Sequence, residues 1–184
     1  MMKRILLVDD HEVVRDGVKR IVDKQLGPAN FGDAGSAMNW NLRFTRIYEN
    51  HLDARWRPGA YQETRQLVRD SLSRGYNVAV HVGHGYRNVM SVGDDNLTNG
   101  DAMALSNGDR LLNLYAINCT SNAIDFPCIG EAFIHAQDGG AVTNIGSSTL
   151  DFPYAGRAYQ KNYFELLYHD SVSSVGEAQA KQKL

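Results

Sequence analysis

The sequence predicts an α/β fold: a three-layer sandwich built on a doubly wound, mostly parallel sheet. Short uninterrupted aliphatic runs recur, the form a strand takes when helices cover both of its faces. Between them lie stretches with apolar residues at helical spacing. The two kinds alternate along most of the 184 residues, as β-α-β units require.

The first strand is the run Ile5, Leu6, Leu7 and Val8. Asp9 and Glu12 have capping-box spacing, and Val13, Val14, Val18, Ile21 and Val22 continue a helix that Gly27-Pro28 stops. A weak strand follows near 30–33, and a firmer one over 44–48 leads to a turn at Pro58-Gly59. Thr64, Leu67, Val68 and Leu72 share one helical face, which Gly75 closes. Residues 77–82 form a strand running into Gly83-His84-Gly85, and the Gly-, Asn- and Asp-rich stretch 86–100 reads as a loop. Residues 111–118 are the next strand, with Cys119 at its end. A helix over 129–137 is broken by Gly139-Gly140 ahead of a strand at 141–145, and helices over 158–168 and 172–183 complete the order. No internal repeat is visible, and the length suits one domain over 1–184.

Composition narrows the function classes. A formal net charge of −2 supplies no basic field for a phosphate backbone, so nucleic acid is not the expected partner. The apolar runs are too short to span a bilayer. Met1-Met2-Lys3-Arg4 and the aliphatic run after it superficially resemble a leader peptide, but Asp9-Asp10 end the run early, so a cytoplasmic location is expected. Two cysteines, Cys119 and Cys128, make no disulfide framework. His81 lies three residues before His84, yet no further Cys or carboxylate set has ligand spacing, so neither a metal nor another cofactor is expected.

In doubly wound sheets ligands bind beyond the carboxyl ends of the strands, and His84 and Cys119 both fall at such ends. An imidazole can take a thiol's proton and later hand it to a leaving amine. Glycines on either side of His84 allow close approach of a substrate, and backbone N–H groups there could hold an oxyanion. The plain alternative is a glycine turn with a surface histidine, and a small apolar thiol at a strand end.

Several segments, in order, resemble gingipain-type peptidases, a caspase-like group of cysteine endopeptidases. They are Val80-His81-Val82-Gly83-His84-Gly85, the strand Leu114-Tyr115-Ala116-Ile117-Asn118-Cys119, Phe126-Pro127-Cys128-Ile129-Gly130-Glu131-Ala132-Phe133, the glycine-rich turn and strand from Gly139 to Ser148, and the late Val175-Gly176-Glu177-Ala178 with Lys181. The likeness covers about residues 44–184. It implies a peptide or protein substrate, Cys119 as nucleophile, His84 as general acid/base, and the N–H groups of Gly85 and Cys119 as oxyanion hole. Ser147, Ser148 and Phe152 match the wall of the specificity pocket, with a strand end and a core aromatic as the structural alternative. Cleavage after basic residues is implied. Cys128 matches a structural cysteine at a helix start, though a Cys119–Cys128 disulfide is conceivable, and Glu131 reads as a helix residue in a structural contact. Relatives of this group are commonly exported.

Residues 1–37 are similar instead to the first β-α-β unit of a response-regulator receiver, through Lys3 to His11, the segment 12–17, and Phe31-Gly32-Asp33-Ala34-Gly35-Ser36-Ala37. A receiver would use Asp9 and Asp10 for magnesium and a phospho-acceptor near Asp53, but the setting of Asp53 is not a hydrophobic strand end, so Asp9 is better read as a helix cap. A composite is therefore expected, receiver-like over 1–37 and peptidase-like over 38–184. The acidic residue that supports the histidine in gingipain-type enzymes has no match, and Asp9, Asp10 or Asp33 is the guess. Three readings stand: a thiol endopeptidase or its remnant, a catalytically silent chimeric α/β scaffold, and a receiver-like signalling module.

Overall fold

The computed structural model describes residues 3–9, 42–52, 59–168 and 170–183. The predicted helix over 9–22, the strand near 30–33, Pro58 and the candidate residues Asp10, Asp33 and Asp53 lie outside them. A six-stranded parallel sheet forms the middle layer. Its strands are β1 (Lys3–Asp9), β2 (Leu42–Tyr48), β3 (Ala60–Gln62), β4 (Val78–Val82), β8 (Leu112–Ile117) and β9 (Ala141–Ile145). They lie in the order β3-β2-β1-β4-β8-β9. Direction reverses between β1 and β4, so the sheet is doubly wound as the alternating runs predict.

Alternation along the strands divides the core into two. Leu6, Val8, Ile47, Ala79, Leu114 and Ala116 face one side. There they meet Val68 and Leu72 of α1 (Arg65–Ser73) and Ile129, Ala132 and Phe133 of α3 (Ile129–Ile134). Ile5, Leu7, Val78, Val80, Val82, Tyr115 and Ile117 face the other side. They pack on Tyr163, Phe164 and Tyr168 of α4 (Pro153–Tyr168) and Ala178 of α5 (Val175–Lys181). Helices on both faces explain why the strands read as unbroken aliphatic runs.

Most predicted elements are found, with instructive shifts. Thr64 caps α1 by accepting the Leu67 N–H at 3.2 Å, and Gly75, at φ +73, ends that helix as expected. The stretch 86–100 is no loop. It is an antiparallel meander of β5 (Gly85–Tyr86), β6 (Val89–Val92) and β7 (Asp95–Thr98), followed by α2 (Asn99–Met103). Its Gly, Asn and Asp residues make the hairpin turns, including Gly93 at φ +60, while Met90, Val92 and Leu97 enter the core. Helix α3 stops at Ile134, short of the expected 137. Helix α4 starts at Pro153 rather than 158, because proline suits a first helical position where no N–H is needed. Strand β3, three residues long, had no sequence signal.

Two contacts fix the first-face helices to their neighbours. Asp101, buried at 5% exposure, accepts the Thr98 hydroxyl at 2.7 Å and the Thr98 N–H at 2.9 Å, and takes the Arg65 guanidinium on both oxygens. Burial pushes the Asp101 carboxyl up, but the Thr98 bonds and the Arg65 pair outweigh it and leave its pKa below the ordinary 3.8. Gly130 on α3 lies so close to β9 and the loop after β8 that a Cβ there would fall 2.1 Å from Asn122 Oδ1 and 2.2 Å from Asn144 Nδ2.

Asp101→Ala should cost about 2 kcal/mol at pH 7, through the lost cap and charge-assisted bonds. Because the folded pKa is depressed, that stabilisation is present above the ordinary value of 3.8 and is lost as pH falls through the lowered one. Urea melts at pH 7 and pH 3 should show the gap between variant and wild type shrinking. Gly130→Ala should cost about 1–3 kcal/mol, since backbone or amides must move to admit a methyl. A thermal melt unchanged from wild type would contradict that packing.

Candidate active site

Strands β4 and β8 are parallel neighbours with His81 opposite Ala116 and Val82 opposite Ile117. The Gly83 N–H donates to Ile117 O at 3.0 Å, carrying the pairing one residue past β4. His84 and Cys119 each stand two residues beyond the Val82–Ile117 pair. They share the parity of the second sheet face. An ideal Cβ on Gly85 would lie 2.9 Å from Cys119 O and 2.9 Å from Asn118 Cγ, so the residue after the histidine rests on the backbone of the thiol. The backbone segments bearing the two sequence candidates thus lie at adjacent strand ends. His84 is exposed, and its carbonyl accepts the Ser91 N–H at 3.0 Å, which holds this turn to β6.

Cys119 is a free, half-buried thiol. The residue after it, Thr120, has φ +53, a conformation that a β-branched side chain adopts at a cost of order 1–3 kcal/mol. Two bonds hold it there: Thr120 N–H to Thr149 O at 2.7 Å and Asn122 N–H to Ser147 O at 2.9 Å. The sharp turn stops Cys119 from continuing into the layer of helices. The Asp151 N–H reaches the Cys119 sulfur at 3.4 Å, with Asp151 O at 3.7 Å. Burial pushes the Asp151 carboxyl above its ordinary range, opposed by the Phe152 N–H and the Ser147 side chain, both of which hydrogen-bond the carboxylate. Gly156 in the first turns of α4 closes the space beside it: a Cβ there would be 3.1 Å from Asp151 Oδ2 and 2.7 Å from Ile117.

The tentative pocket residues fare differently. Ser147 is half-buried and engaged with Asp151. Ser148 is exposed beyond the end of β9. Phe152 is 71% exposed, so it is no core aromatic, because it precedes α4 at a point where the chain has left the sheet. Cys128 is a second free thiol, so no disulfide joins the two cysteines. It caps the start of α3, 1% exposed, and burial pushes its pKa up, the state of an inert packing thiol. Glu131 makes the structural contact expected of it, accepting the Cys128 N–H at 3.2 Å. Asp9 ends β1 opposite Val82, one strand over from the histidine turn. Among the described residues no three His, Cys, Asp or Glu side chains gather to hold a metal ion.

Sequence reasoning missed Asp151. Its signal was present: an acidic residue just ahead of Pro153 marks a helix start, and starting α4 at 158 hid it. It also missed a buried polar set below the site. His81 Nε2 meets Ser91 O at 2.7 Å, His81 Nδ1 meets Asn118 Nδ2 at 3.1 Å, and the Ser121 hydroxyl donates to Asn118 Oδ1.

The sequence pattern of peptidase family C25 matches residues 1–184. No curated protein matches the chain. Among solved structures, the Arg-specific cysteine proteinase gingipain R (RGPB) superposes with TM-score 0.62 at 16% identity, over 91% of this chain and 37% of that one. The complex of Porphyromonas gingivalis RgpB pro- and mature domains gives TM-score 0.60 at 15% identity, over 90% and 37%. A structure described as a protease gives TM-score 0.61 at 18% identity, over 88% and 32%. The chain therefore shares their fold and spans about a third of their length. The family match takes in the first 37 residues, and β1 lies at the centre of the same sheet. Nothing in these likenesses supports a receiver-like origin for that segment or a composite chain. From its first residue to its last, the chain belongs to peptidase family C25.

Proposed function

We propose that the chain carries the working pair of a cysteine endopeptidase, with Cys119 as nucleophile and His84 as general acid/base. The observation that carries this reading is the shared register of β4 and β8, by which an exposed histidine and a half-buried free thiol each follow the Val82–Ile117 pair by two residues. The Cys119 thiol gives its proton to His84, and the resulting thiolate attacks a peptide carbonyl. The N–H groups of Gly85 and Cys119 hold the developing oxyanion. His84 then protonates the departing amine, leaving an acyl-enzyme on sulfur that water hydrolyses.

The substrate preference we assign is a basic residue ahead of the scissile bond. Asp151 supports it: its backbone N–H lies 3.4 Å from the Cys119 sulfur, and its half-buried carboxyl is hydrogen-bonded by the Phe152 N–H and Ser147 while burial raises its pKa. A lysine or arginine side chain entering beside Cys119 would meet an oriented anion. In this reading Ser147 and Ser148 would wall that approach, with the exposed Phe152 as an apolar edge.

An active-site thiol probe tests the pair. Labelling at Cys119 that falls by about 10²–10⁴ in rate with His84→Ala, as expected for loss of a general base, supports it. Equal labelling of the two folded proteins, with no turnover of an Arg and Lys peptide panel, would identify a silent scaffold instead. Asp151→Asn should raise KM for basic peptides by roughly tenfold, about 1.4 kcal/mol, and leave that for neutral peptides near wild type. The same variant should melt higher than wild type at pH 7. The raised folded pKa means neutral Asp151 is favoured by folding, a benefit present below 3.8 and lost as pH rises through the folded value. A lower melting point for Asp151→Asn at pH 7 would refute the burial argument.

A further inference from the structure

His81 takes no part in the proposed chemistry, and it is 5% exposed. It lies on the opposite face of β4 from Val80 and Val82, among Val8, Ala79, Ala116 and the other aliphatic residues of the first core. An imidazole is costly in such a place unless its ring nitrogens are paired. Both are. A carbonyl can only accept, so Nε2 donates to Ser91 O at 2.7 Å, and Nδ1 accepts from Asn118 Nδ2 at 3.1 Å. The Asn118 oxygen in turn accepts the Ser121 hydroxyl. A one-way chain results, from Ser121 through the Asn118 amide and the imidazole to Ser91.

Its ends are informative. The Ser91 N–H is the group that holds His84 O at 3.0 Å. Asn118 directly precedes Cys119, and Ser121 follows it by two, with its carbonyl tied to the Gly130 N–H at 3.0 Å. Gly85 rests on Asn118 itself. The chain of bonds therefore passes beneath the site and joins the backbone bearing the imidazole to the backbone bearing the thiol.

Resting on the proposed Cys119–His84 reading, we propose that His81 is a positioning residue: a buried hydrogen-bonded spacer that fixes the histidine turn relative to the thiol turn. Reacting groups tolerate little misplacement, since a shift of about 1 Å can cost 10²-fold in rate. A ring supplying one donor and one acceptor is needed here, whereas bulk alone is not enough. A glutamine amide presents the same pair of functions, and a phenylalanine ring presents neither.

The test compares wild type, His81→Gln and His81→Phe in the full chain. It reads hydrolysis of a chromogenic peptide with Arg before the scissile bond, iodoacetamide alkylation of Cys119, and backbone amide NMR shifts. In His81→Phe, kcat should fall about tenfold or more with KM within about twofold, and His81→Gln should recover to within about threefold of wild type. Amide shifts should move in both 83–85 and 118–121 for the Phe variant and far less for Gln. Shifts confined to β4 and its immediate neighbours, or a Gln variant as impaired as Phe, would overturn the proposal. Alkylation of Cys119 that ignores His84→Ala would instead sink the peptidase reading, while the two-segment shift criterion would still decide the role of His81. Should His81→Phe fail to fold, Ser121→Ala interrupts the same chain from its far end, and unmoved amides at 83–85 would count against it.

Discussion

The pairing of β4 with β8 is the constraint on which the rest of the molecule depends. Neighbouring strands lie about 4.8 Å apart, and side chains alternate between faces with a period of two. Val82 opposite Ile117 therefore commits residues 84 and 119 to one side at one level. A slip of one residue would be heavily penalised. It would turn Tyr115 and Ile117 away from the aromatic layer of α4 and present Asn118 to it. The valines, Tyr115 and Ile117, none of them chemical participants, thus set the geometry that the thiol and imidazole inherit.

Beyond the last paired residues, the two turns are held by different means. Glycines form the histidine turn, and Gly85 must lack a side chain because Asn118 and Cys119 O occupy the space. The thiol turn is held by bonds to the 147–149 segment, strongly enough to keep Thr120 at φ +53. Gly130 lets α3 close on that same turn from behind. Sheet register, hydrogen bonds and close helix packing converge on a few residues, and each limits a different direction of movement.

How much of this was legible depends on the range of the forces involved. Strands and helices follow from local periodicity, so β1, β2, β4, β8, β9 and α1 were readable from residues such as Val78, Val80 and Leu72. The 86–100 meander was not. Its Gly, Asn and Asp turns outweighed the few apolar residues, Met90, Val92 and Leu97, whose burial gives it away. The histidine and cysteine were legible because each ends a readable strand. Asp151 comes to the thiol through the loop after β9; its place ahead of Pro153 signals a helix start, but nothing local reports the contact with Cys119. The likeness of residues 1–37 to a receiver rests on features that parallel α/β sheets share, an aliphatic first strand ending in acidic residues. Such a likeness carries little information about ancestry when the family match runs through the same residues.

His81 and His84 show how little separates a buried spacer from a reactive group. Three residues apart, they have opposite parity and opposite depth. His81 is within β4 and must satisfy its nitrogens locally or pay the full desolvation cost. His84 lies past the point where Gly83 makes its last bond to Ile117, so solvent reaches its ring. Both are nevertheless fastened to one residue of β6, His81 through the Ser91 carbonyl and His84 through the Ser91 N–H. A displacement of β6 would therefore act on both at once, on one through its side chain and on the other through its backbone. The meander that sequence periodicity failed to show is the support against which the histidine turn is braced.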